Sequence, residues 1–311
     1  MTETIGVLLM AYGGPDSLDD IPEYLLDIRH GRATSPELIA EITENYRQIG
    51  GKSPLLNLTR QQAAAVEAKL NADAPPGVHY KTYIGMRHWT PRIVQAVDEM
   101  IADGIRQAVA LVLAPHYSSM SIAKYFQLLD EALAGRPDAF RYAPITSYHD
   151  HPLYIQALAE RVQRGLAEMP ADTLVIFSAH SLPVRILAEG DPYDAQLRES
   201  AALIAQAAGL PDARWRFSYQ SAGRSPEPWL GPQLQDFVLD LAQQGHRNLL
   251  SVPIGFVSDH VEILFDIDIQ ARQVAEEAGV RLERVPSLND DPLYVAALAD
   301  LVGRRYEEEF V

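Results

Sequence analysis

Gly6-Val7-Leu8-Leu9-Met10-Ala11-Tyr12 is a run of strand length that ends in the phenol of Tyr12. Positions 7 to 11 are all apolar, so both faces of the strand must be covered. Strands buried on both faces are typical of parallel sheets that lie between layers of helices. Leu174-Val175-Ile176-Phe177 has the same character. These two runs predict an α/β fold with parallel strands.

Six more runs of strand length alternate with amphipathic stretches along the chain. The eight predicted strands cover residues 6–12, 80–86, 108–115, 141–147, 173–180, 214–221, 248–255 and 281–286. Helical periodicity fills the intervals, for example at 91–103 and at 193–209, where the pattern ends at a glycine. Regular alternation of strand and helix predicts open parallel sheets with right-handed crossovers.

An internal repeat divides the eight strands into two sets of four. Residues 141–164 align without a gap on residues 281–304, with 11 of 24 positions identical. We interpret the repeat as a duplication, with halves at 1–150 and 151–311. The helices near 152–168 and 292–308 are candidates to cross between the halves. The alternative is that one helix-capping solution, an Asp followed by a proline in the first turn, arose twice.

Composition excludes several classes of function. The 311 residues contain no cysteine, which excludes disulfides, thiol nucleophiles and cysteine-held iron–sulfur clusters. With 26 Lys+Arg against 42 Asp+Glu, the net charge is −16, and nucleic acid is not expected as a partner. No apolar run approaches the roughly 20 residues of a membrane-spanning helix. The first residues lack the basic region of a signal peptide, so we expect a cytoplasmic protein.

Polar side chains follow the predicted strands at their carboxyl ends, where open α/β sheets bind ligands. His88, His116 and His180 each come shortly after a strand, and Glu262 and Asp266 lie in an otherwise apolar stretch. Phosphate-binding glycine motifs are absent. A single His is also compatible with a hydrogen-bonded structural role, and the carboxylates with a solvated helix face. The Ala179–Pro183 turn also resembles Ala11–Pro15, which makes Tyr12 and His180 candidates for equivalent positions at one shared cleft.

Seven motifs together resemble ferrochelatase, a family that inserts ferrous iron into a porphyrin. They are LMAYGGP (9–15), IGGKSPL (49–55), APHYS (114–118), SAHSLP (178–183), QS (220–221), PWLGP (228–232) and PIGFVSDHVE (253–262). The resemblance implies two similar flavodoxin-like, chelatase-like domains, each a four-stranded parallel sheet flanked by helices. It also implies that the porphyrin is held in the cleft between them.

The resemblance assigns the central chemistry to His180 and Glu262, which are implied to bind the metal and to accept the pyrrole protons. Related enzymes continue from this Glu with an acidic row at i+4 and i+8 on one helix face. Here the row reads Glu262, Asp266 and Gln270, so its third position is not acidic. Asp268 is expected to replace it only where the helix is locally distorted.

Tyr12 favours a substrate within the family. Ferrochelatases acting on protoporphyrin IX usually carry Met or Leu at this position, whereas Tyr resembles the coproporphyrin III ferrochelatases of Gram-positive and related bacteria, in which the phenol serves as an axial iron ligand. Asn45 stands where familiar members have Arg, so Arg47 or Lys52 is expected to replace that propionate anchor. Further positions match porphyrin-contacting residues of that subgroup: Arg29, Tyr46, Ser53 and Tyr125.

The expected function is thus insertion of Fe²⁺ into coproporphyrin III, with both as substrates and no prosthetic group or iron–sulfur cluster. A downstream coproheme decarboxylase is an expected partner, and the protein is expected to be a monomer. Three alternatives stay open: a ferrochelatase for protoporphyrin IX, a sirohydrochlorin cobaltochelatase, and a haem carrier without catalysis. The Gly-Gly-x-Ser-Pro-Leu and Trp-Leu-Gly-Pro elements favour iron over cobalt chemistry, and retention of His180 and Glu262 favours an enzyme over a carrier.

Overall fold

A computed structural model describes residues 3–311, which form two four-stranded parallel sheets flanked by helices. The strands are β1 (Glu3–Ala11), β2 (Val78–Met86), β3 (Gln107–Val112), β4 (Arg141–Ile145), β5 (Leu174–His180), β6 (Trp215–Gln220), β7 (Asn248–Pro253) and β8 (Arg281–Arg284). The strand orders are β2-β1-β3-β4 and β6-β5-β7-β8. The predicted α/β class, with its eight strands in two sets of four, is confirmed.

Helices fill the intervals between the strands. They are α1 (Ile21–Ile28), α2 (Pro36–Gln48), α3 (Leu55–Asp73), α4 (Ile93–Ala102), α5 (Ile122–Leu133), α6 (Pro152–Ala167), α7 (Arg185–Ala188), α8 (Tyr193–Ala208), α9 (Leu234–Gln243), α10 (Val261–Leu264), α11 (Arg272–Glu277) and α12 (Pro292–Phe310). A π-helical turn, Asp266–Ala271, lies between α10 and α11. Across residues 3–311, no helix combines the length and apolar character needed to cross a bilayer.

The chain divides into two compact units. The first contains the described residues up to Tyr148 together with Asn289–Val311, and the second is His149–Leu288. Helix α12 packs on α3 and β4, so it belongs to the first unit, whereas α6 packs on α8 and β7 in the second. The linear division at residue 150 therefore differs from these units for residues 149–150 and for the last 23 residues, 289–311.

In the first unit, β1 is the central strand and its apolar run forms the core. Residues 7–10 are fully buried between β2 and β3. Leu8 and Met10 pack on the α4–α5 side, against a cluster that includes Val97 and Leu129. Alternate residues of a strand point to opposite faces, so the run must be apolar throughout because both faces are covered.

The second unit repeats this arrangement around β5. Residues 174–177 are buried, and Leu174 and Ile176 pack with Val238 of α9 and with Ile263 and Ile267 of the segment after β7. Glycine at position 209 ends α8 with a left-handed backbone, φ 75°. The predicted helix of 193–209 therefore ends where its glycine indicates.

Hydrogen bonds between strands show which residues are equivalent in the two sheets. Leu113 N donates to Met10 O at 2.8 Å, and Ile254 N donates to Ser178 O at 2.8 Å. Met10 and Ser178 thus occupy the same place in their sheets. Tyr12 and His180 stand two residues further on, at the carboxyl end of the central strand of each unit.

Candidate active site

His180 and Glu262 form a hydrogen-bonded pair at the carboxyl end of β5. The distance from His180 Nδ1 to Glu262 Oε2 is 2.8 Å, and the two side chains are about one-third exposed (33% and 29%). Burial by itself lowers the pKa of His180 and raises that of Glu262. Their mutual attraction outweighs burial, so the pKa of His180 is raised and that of Glu262 is lowered to about 2. The pair combines a nitrogen and a carboxylate, two donor types that divalent transition metals accept.

Buried polar groups fix this pair to the sheet. Gln220, at the end of β6, donates from Nε2 to Glu262 O at 3.0 Å and accepts from Ser178 Oγ at 2.9 Å. Tyr193, the first residue of α8, donates its hydroxyl to His180 O at 3.0 Å. Gln220 and Ser178 are fully buried, so the segment carrying Glu262 is tied to two neighbouring strands in a water-poor setting.

Asp266 extends the acidic character of the site by one helical turn. It accepts a hydrogen bond from Ser221 Oγ, and Ser221 adopts a left-handed backbone, φ 58°. Burial, followed by repulsion from Glu262, raises the pKa of Asp266 to about 7. Glu262 and Asp266 therefore form two consecutive positions of the predicted row.

The third position of the row takes a different form. Asp268 could take the third place only in a distorted helix. The helix is indeed locally distorted, because residues 266–271 form a π-helical turn. Asp268 is nevertheless engaged by Arg284, at 2.7 and 2.8 Å, and Gln270 accepts a hydrogen bond from Gln235 of α9. Gln270 therefore keeps the third position of the row without a carboxylate, and Asp268 is paired with Arg284.

In the first unit, Tyr12 lies beside a buried histidine. Its side chain is 41% exposed, and its ring centroid is 4.7 Å from that of His88. His88 Nδ1 lies 2.9 Å from Asp27 Oδ2, and Asp27 also binds Arg92 at 2.9 Å. Burial lowers the pKa of His88 to about 4, so the imidazole beside Tyr12 is neutral.

The predicted porphyrin-contacting residues of the first unit differ in exposure. Tyr46 and Ser53 are buried near Gly14, and Tyr125 is buried below the guanidinium of Arg87, 5.5 Å from its ring centroid. Arg29, at the end of α1, is exposed. The half-buried Arg87 is a cation that the sequence reasoning did not single out.

The two cations expected to replace the missing Arg at Asn45 are both exposed. Arg47 is exposed and forms an ion pair with Glu44 within α2, and Lys52 is exposed in the turn before α3. Arg47 therefore already has an acidic partner within α2. Asn45 itself is half-buried.

Two other polar residues that follow strands, His116 and Ser181, are buried. His116 follows β3 and is 2% exposed. Ser181, which follows His180, is fully buried and donates from Oγ to Leu230 O at 2.7 Å, so its hydroxyl is engaged in the interior.

Comparison with known proteins identifies the family. A family model described as Ferrochelatase matches residues 4–306. The chain belongs to the ferrochelatase family. A ferrochelatase of Deinococcus radiodurans is 56% identical over 308 residues, with 98% of this chain and 96% of the relative covered. A coproporphyrin III ferrochelatase of Geobacillus kaustophilus is 42% identical over 314 residues, with 99% and 98% covered.

Solved structures show the same fold in more distant chelatases. The ferrochelatase-family chain is similar to SirB from Bacillus subtilis with Fe³⁺, with a TM-score of 0.60, 11% identity and 99% of each chain covered. It is also similar to CbiX of denitrifying bacteria, with a TM-score of 0.52, 17% identity and coverage of 98% of this chain and 100% of that one. At these identities the likeness shows the fold alone.

Family membership makes this chain a metal-inserting porphyrin chelatase and gives the residues their context. Within the second unit the structure brings His180, Glu262 and Asp266 together, and within the first it places Tyr12 beside His88. Sequence reasoning missed Asp27, the partner of His88, because it lies 61 residues away in the chain and carries no motif.

Proposed function

We propose that this ferrochelatase-family chain inserts Fe²⁺ into coproporphyrin III to give Fe-coproporphyrin in haem biosynthesis. The observation that carries the proposal is the His180–Glu262 pair, which joins an imidazole and a carboxylate at 2.8 Å. The names of relatives such as the Geobacillus kaustophilus protein support coproporphyrin III, a porphyrin with four propionates, as the substrate.

The reaction replaces two pyrrole N–H protons with one Fe²⁺, so it needs a metal ligand and a proton acceptor. An ionised carboxylate only accepts hydrogen bonds, so His180 donates to Glu262 from Nδ1. In the neutral imidazole the lone pair is then on Nε2, which we assign to Fe²⁺. We assign Glu262 to metal binding as well, and we assign removal of the two pyrrole protons to His180 and Glu262, one proton each, with release of both protons to solvent.

Tyr12 carries the choice of porphyrin. Its phenol is 41% exposed at the end of β1, and we assign it as an axial ligand of the iron. Four propionates require several cations, and the first unit offers Arg29 and Arg87 near its carboxyl-end loops. Polar contacts to the porphyrin are assigned to Tyr46, Ser53 and Tyr125, and Arg87 is our candidate to replace the cation that Asn45 lacks.

Protoporphyrin IX, with two propionates, is the second candidate substrate. One observation favours it. Asn45 stands where an Arg is expected, and the nearby Arg47 is already paired with Glu44, so the first unit has one cation fewer for propionates. A sirohydrochlorin cobaltochelatase and a carrier without catalysis have no such observation in their favour. A monomeric state, a cytoplasmic location and a coproheme decarboxylase partner stay predictions, and light scattering after size-exclusion chromatography tests the first.

Replacement of His180 by Ala tests the proposed metal ligand. We expect His180→Ala to lower iron insertion by more than 100-fold while coproporphyrin still quenches tryptophan fluorescence on binding. The matched control is His149→Ala, because His149 also pairs with a carboxylate, Glu199, at 3.0 Å and is 31 residues away in the chain. Turnover of His180→Ala equal to that of the control contradicts the assignment.

Replacement of Tyr12 by Met tests the axial ligand. We expect Tyr12→Met to retain the fold and to shift the Soret band of the bound Fe-coproporphyrin. Tyr12→Phe is the control that keeps the ring and removes the hydroxyl, and it is expected to shift the band as well. Spectra that match the wild type in both variants contradict ligation by the phenol.

A further inference from the structure

Arg284, the last residue of β8, is an almost buried cation that the proposed chemistry does not use. Its side chain is 11% exposed. Nε donates to Asp268 Oδ1 at 2.7 Å and Nη2 donates to Asp268 Oδ2 at 2.8 Å. Two parallel hydrogen bonds of this kind fix both the distance and the orientation of a carboxylate.

The same guanidinium also contacts the chain before α10. Nη2 lies 3.5 Å from Asp259 Oδ1, and Nη1 donates to Ser287 Oγ at 3.3 Å. Ser287 in turn donates to Asp259 Oδ1 at 2.7 Å. Arg284 and Ser287 therefore connect the end of β8 to Asp259 as well as to Asp268.

These contacts lie on either side of the segment that carries the two carboxylates of the site, Glu262 and Asp266. Asp259 precedes Glu262 by three residues, and Asp268 follows Asp266 by two. We propose that Arg284 is a positioning residue that holds both ends of the 259–268 segment and so sets where Glu262 and Asp266 stand. The inference rests on the proposed function and adds to it a residue that touches neither metal nor porphyrin.

Local conformation explains why such a support is needed. Helix α10 has four residues, and the following turn is π-helical, with Gln270 N donating to Phe265 O at 2.9 Å. Short helices and π-helical turns are weakly determined by their own backbone hydrogen bonds. Gln220 holds the carbonyl of Glu262 from β6, and Arg284 holds the two flanks of the segment from β8.

Charge gives Arg284 a second role at the same place. Asp259 and Asp268 both lie against the guanidinium of Arg284, and two carboxylates that converge on one site repel each other where water is partly excluded. The guanidinium offsets part of this charge while leaving Glu262 itself to His180. Groups that orient metal ligands typically change metal affinity by about 10- to 100-fold when they are removed.

Titration with Co²⁺ alone, without porphyrin, tests the inference by visible absorption. We expect wild-type protein to bind Co²⁺ and His180→Ala to lose the signal. In Arg284→Gln the affinity is expected to fall about 10- to 100-fold. Arg284→Lys keeps the charge but not the paired hydrogen bonds, so its Co²⁺ affinity is expected to lie between those of the wild type and Arg284→Gln. Asp268→Asn is expected to lower the Co²⁺ affinity as well.

Two controls separate positioning from general damage. Arg281→Gln removes an exposed cation of the same strand, which pairs with Glu283 at 3.1 Å, and is expected to bind Co²⁺ like the wild type. Ile204→Ala empties a fully buried position of α8 and is expected to lower the melting temperature without changing the Co²⁺ affinity. Iron insertion is expected to show a lower kcat in Arg284→Gln at nearly unchanged KM for the porphyrin.

Each outcome decides between the claims. Wild-type affinity for Co²⁺ in Arg284→Lys and Asp268→Asn overturns the inference, even where Arg284→Gln does not fold. A loss of affinity that Ile204→Ala reproduces also overturns it. Wild-type protein that binds Co²⁺ through His180 but converts neither porphyrin refutes the proposed function alone.

Discussion

Gly14 approaches Ser53 so closely that a single added methyl group tests the packing around the predicted porphyrin contacts. A Cβ on residue 14 lies 2.5 Å from Ser53 Oγ and 2.6 Å from Ser53 Cβ. Ser53 is 7% exposed, and its N–H donates to Pro15 O at 2.9 Å, so its backbone is held in place. We expect Gly14→Ala to lower the free energy of unfolding by about 1–3 kcal/mol, as overpacked cores do.

The size of the effect follows from the atoms that clash, and a second substitution can relieve it. Ser53→Gly removes both clashing atoms. In the Ser53→Gly background, adding Gly14→Ala is therefore expected to lower the free energy of unfolding much less than it does in the wild type. Ser53→Ala keeps the Cβ at 2.6 Å and is expected not to relieve it. The double-mutant cycle is expected to show a coupling of at least ~1 kcal/mol.

Thermal unfolding followed by circular dichroism measures the effect. At about 2–4 °C per kcal/mol for a unit of this size, Gly14→Ala lowers Tm by roughly 2–12 °C. The matched control is Gly303→Ala in α12, where an added Cβ meets no atom within 4 Å. It is expected to raise stability by about 0.5–1 kcal/mol through helix propensity. An unchanged Tm for Gly14→Ala, or equal relief by Ser53→Ala and Ser53→Gly, refutes the reasoning.

Two further substitutions test polar groups buried in the second unit. Arg161 donates to the carbonyls of residues 286, 287 and 288 at 3.0–3.4 Å. Arg161→Met is therefore expected to lower the free energy of unfolding by about 2–4 kcal/mol in urea titrations. A loss below ~0.5 kcal/mol contradicts this expectation. Tyr154 donates its hydroxyl to Ile254 O at 2.7 Å at a fully buried site, so Tyr154→Phe is expected to cost about 1–2 kcal/mol; Tyr142→Phe, which loses an exposed hydrogen bond to Asp130, serves as its control and is expected to cost less.

The strands and the pair at their ends could be predicted from the sequence because each depends on local pattern. The apolar runs at 7–11 and 174–177 indicated buried parallel strands, and both are central strands. His180 and Glu262 were named from motifs, and the structure brings their side chains to 2.8 Å. Their roles in metal insertion stay predictions, which the experiments on His180 test.

Other features of the site depend on contacts that no local pattern contains. The sequence pattern offers Asp268 as a third acidic position, but Arg284, 16 residues further on at the end of β8, binds its carboxylate. The π-helical turn has no marker in the sequence, because one extra residue in a single turn does not visibly change the periodicity of so short a helix. Asp27 is fixed by tertiary packing in the same way.

The initial rate of Fe²⁺ insertion into each porphyrin, measured anaerobically with purified protein, tests the central claim most directly. The account predicts saturable insertion into coproporphyrin III, with kcat/KM at least about tenfold above that for protoporphyrin IX, which corresponds to roughly 1.4 kcal/mol in the transition state. The rate with either porphyrin is expected to be lost in His180→Ala. A preference for protoporphyrin IX contradicts the assignment of Tyr12 and the tetrapropionate substrate, and absence of turnover with both porphyrins contradicts the proposed function itself.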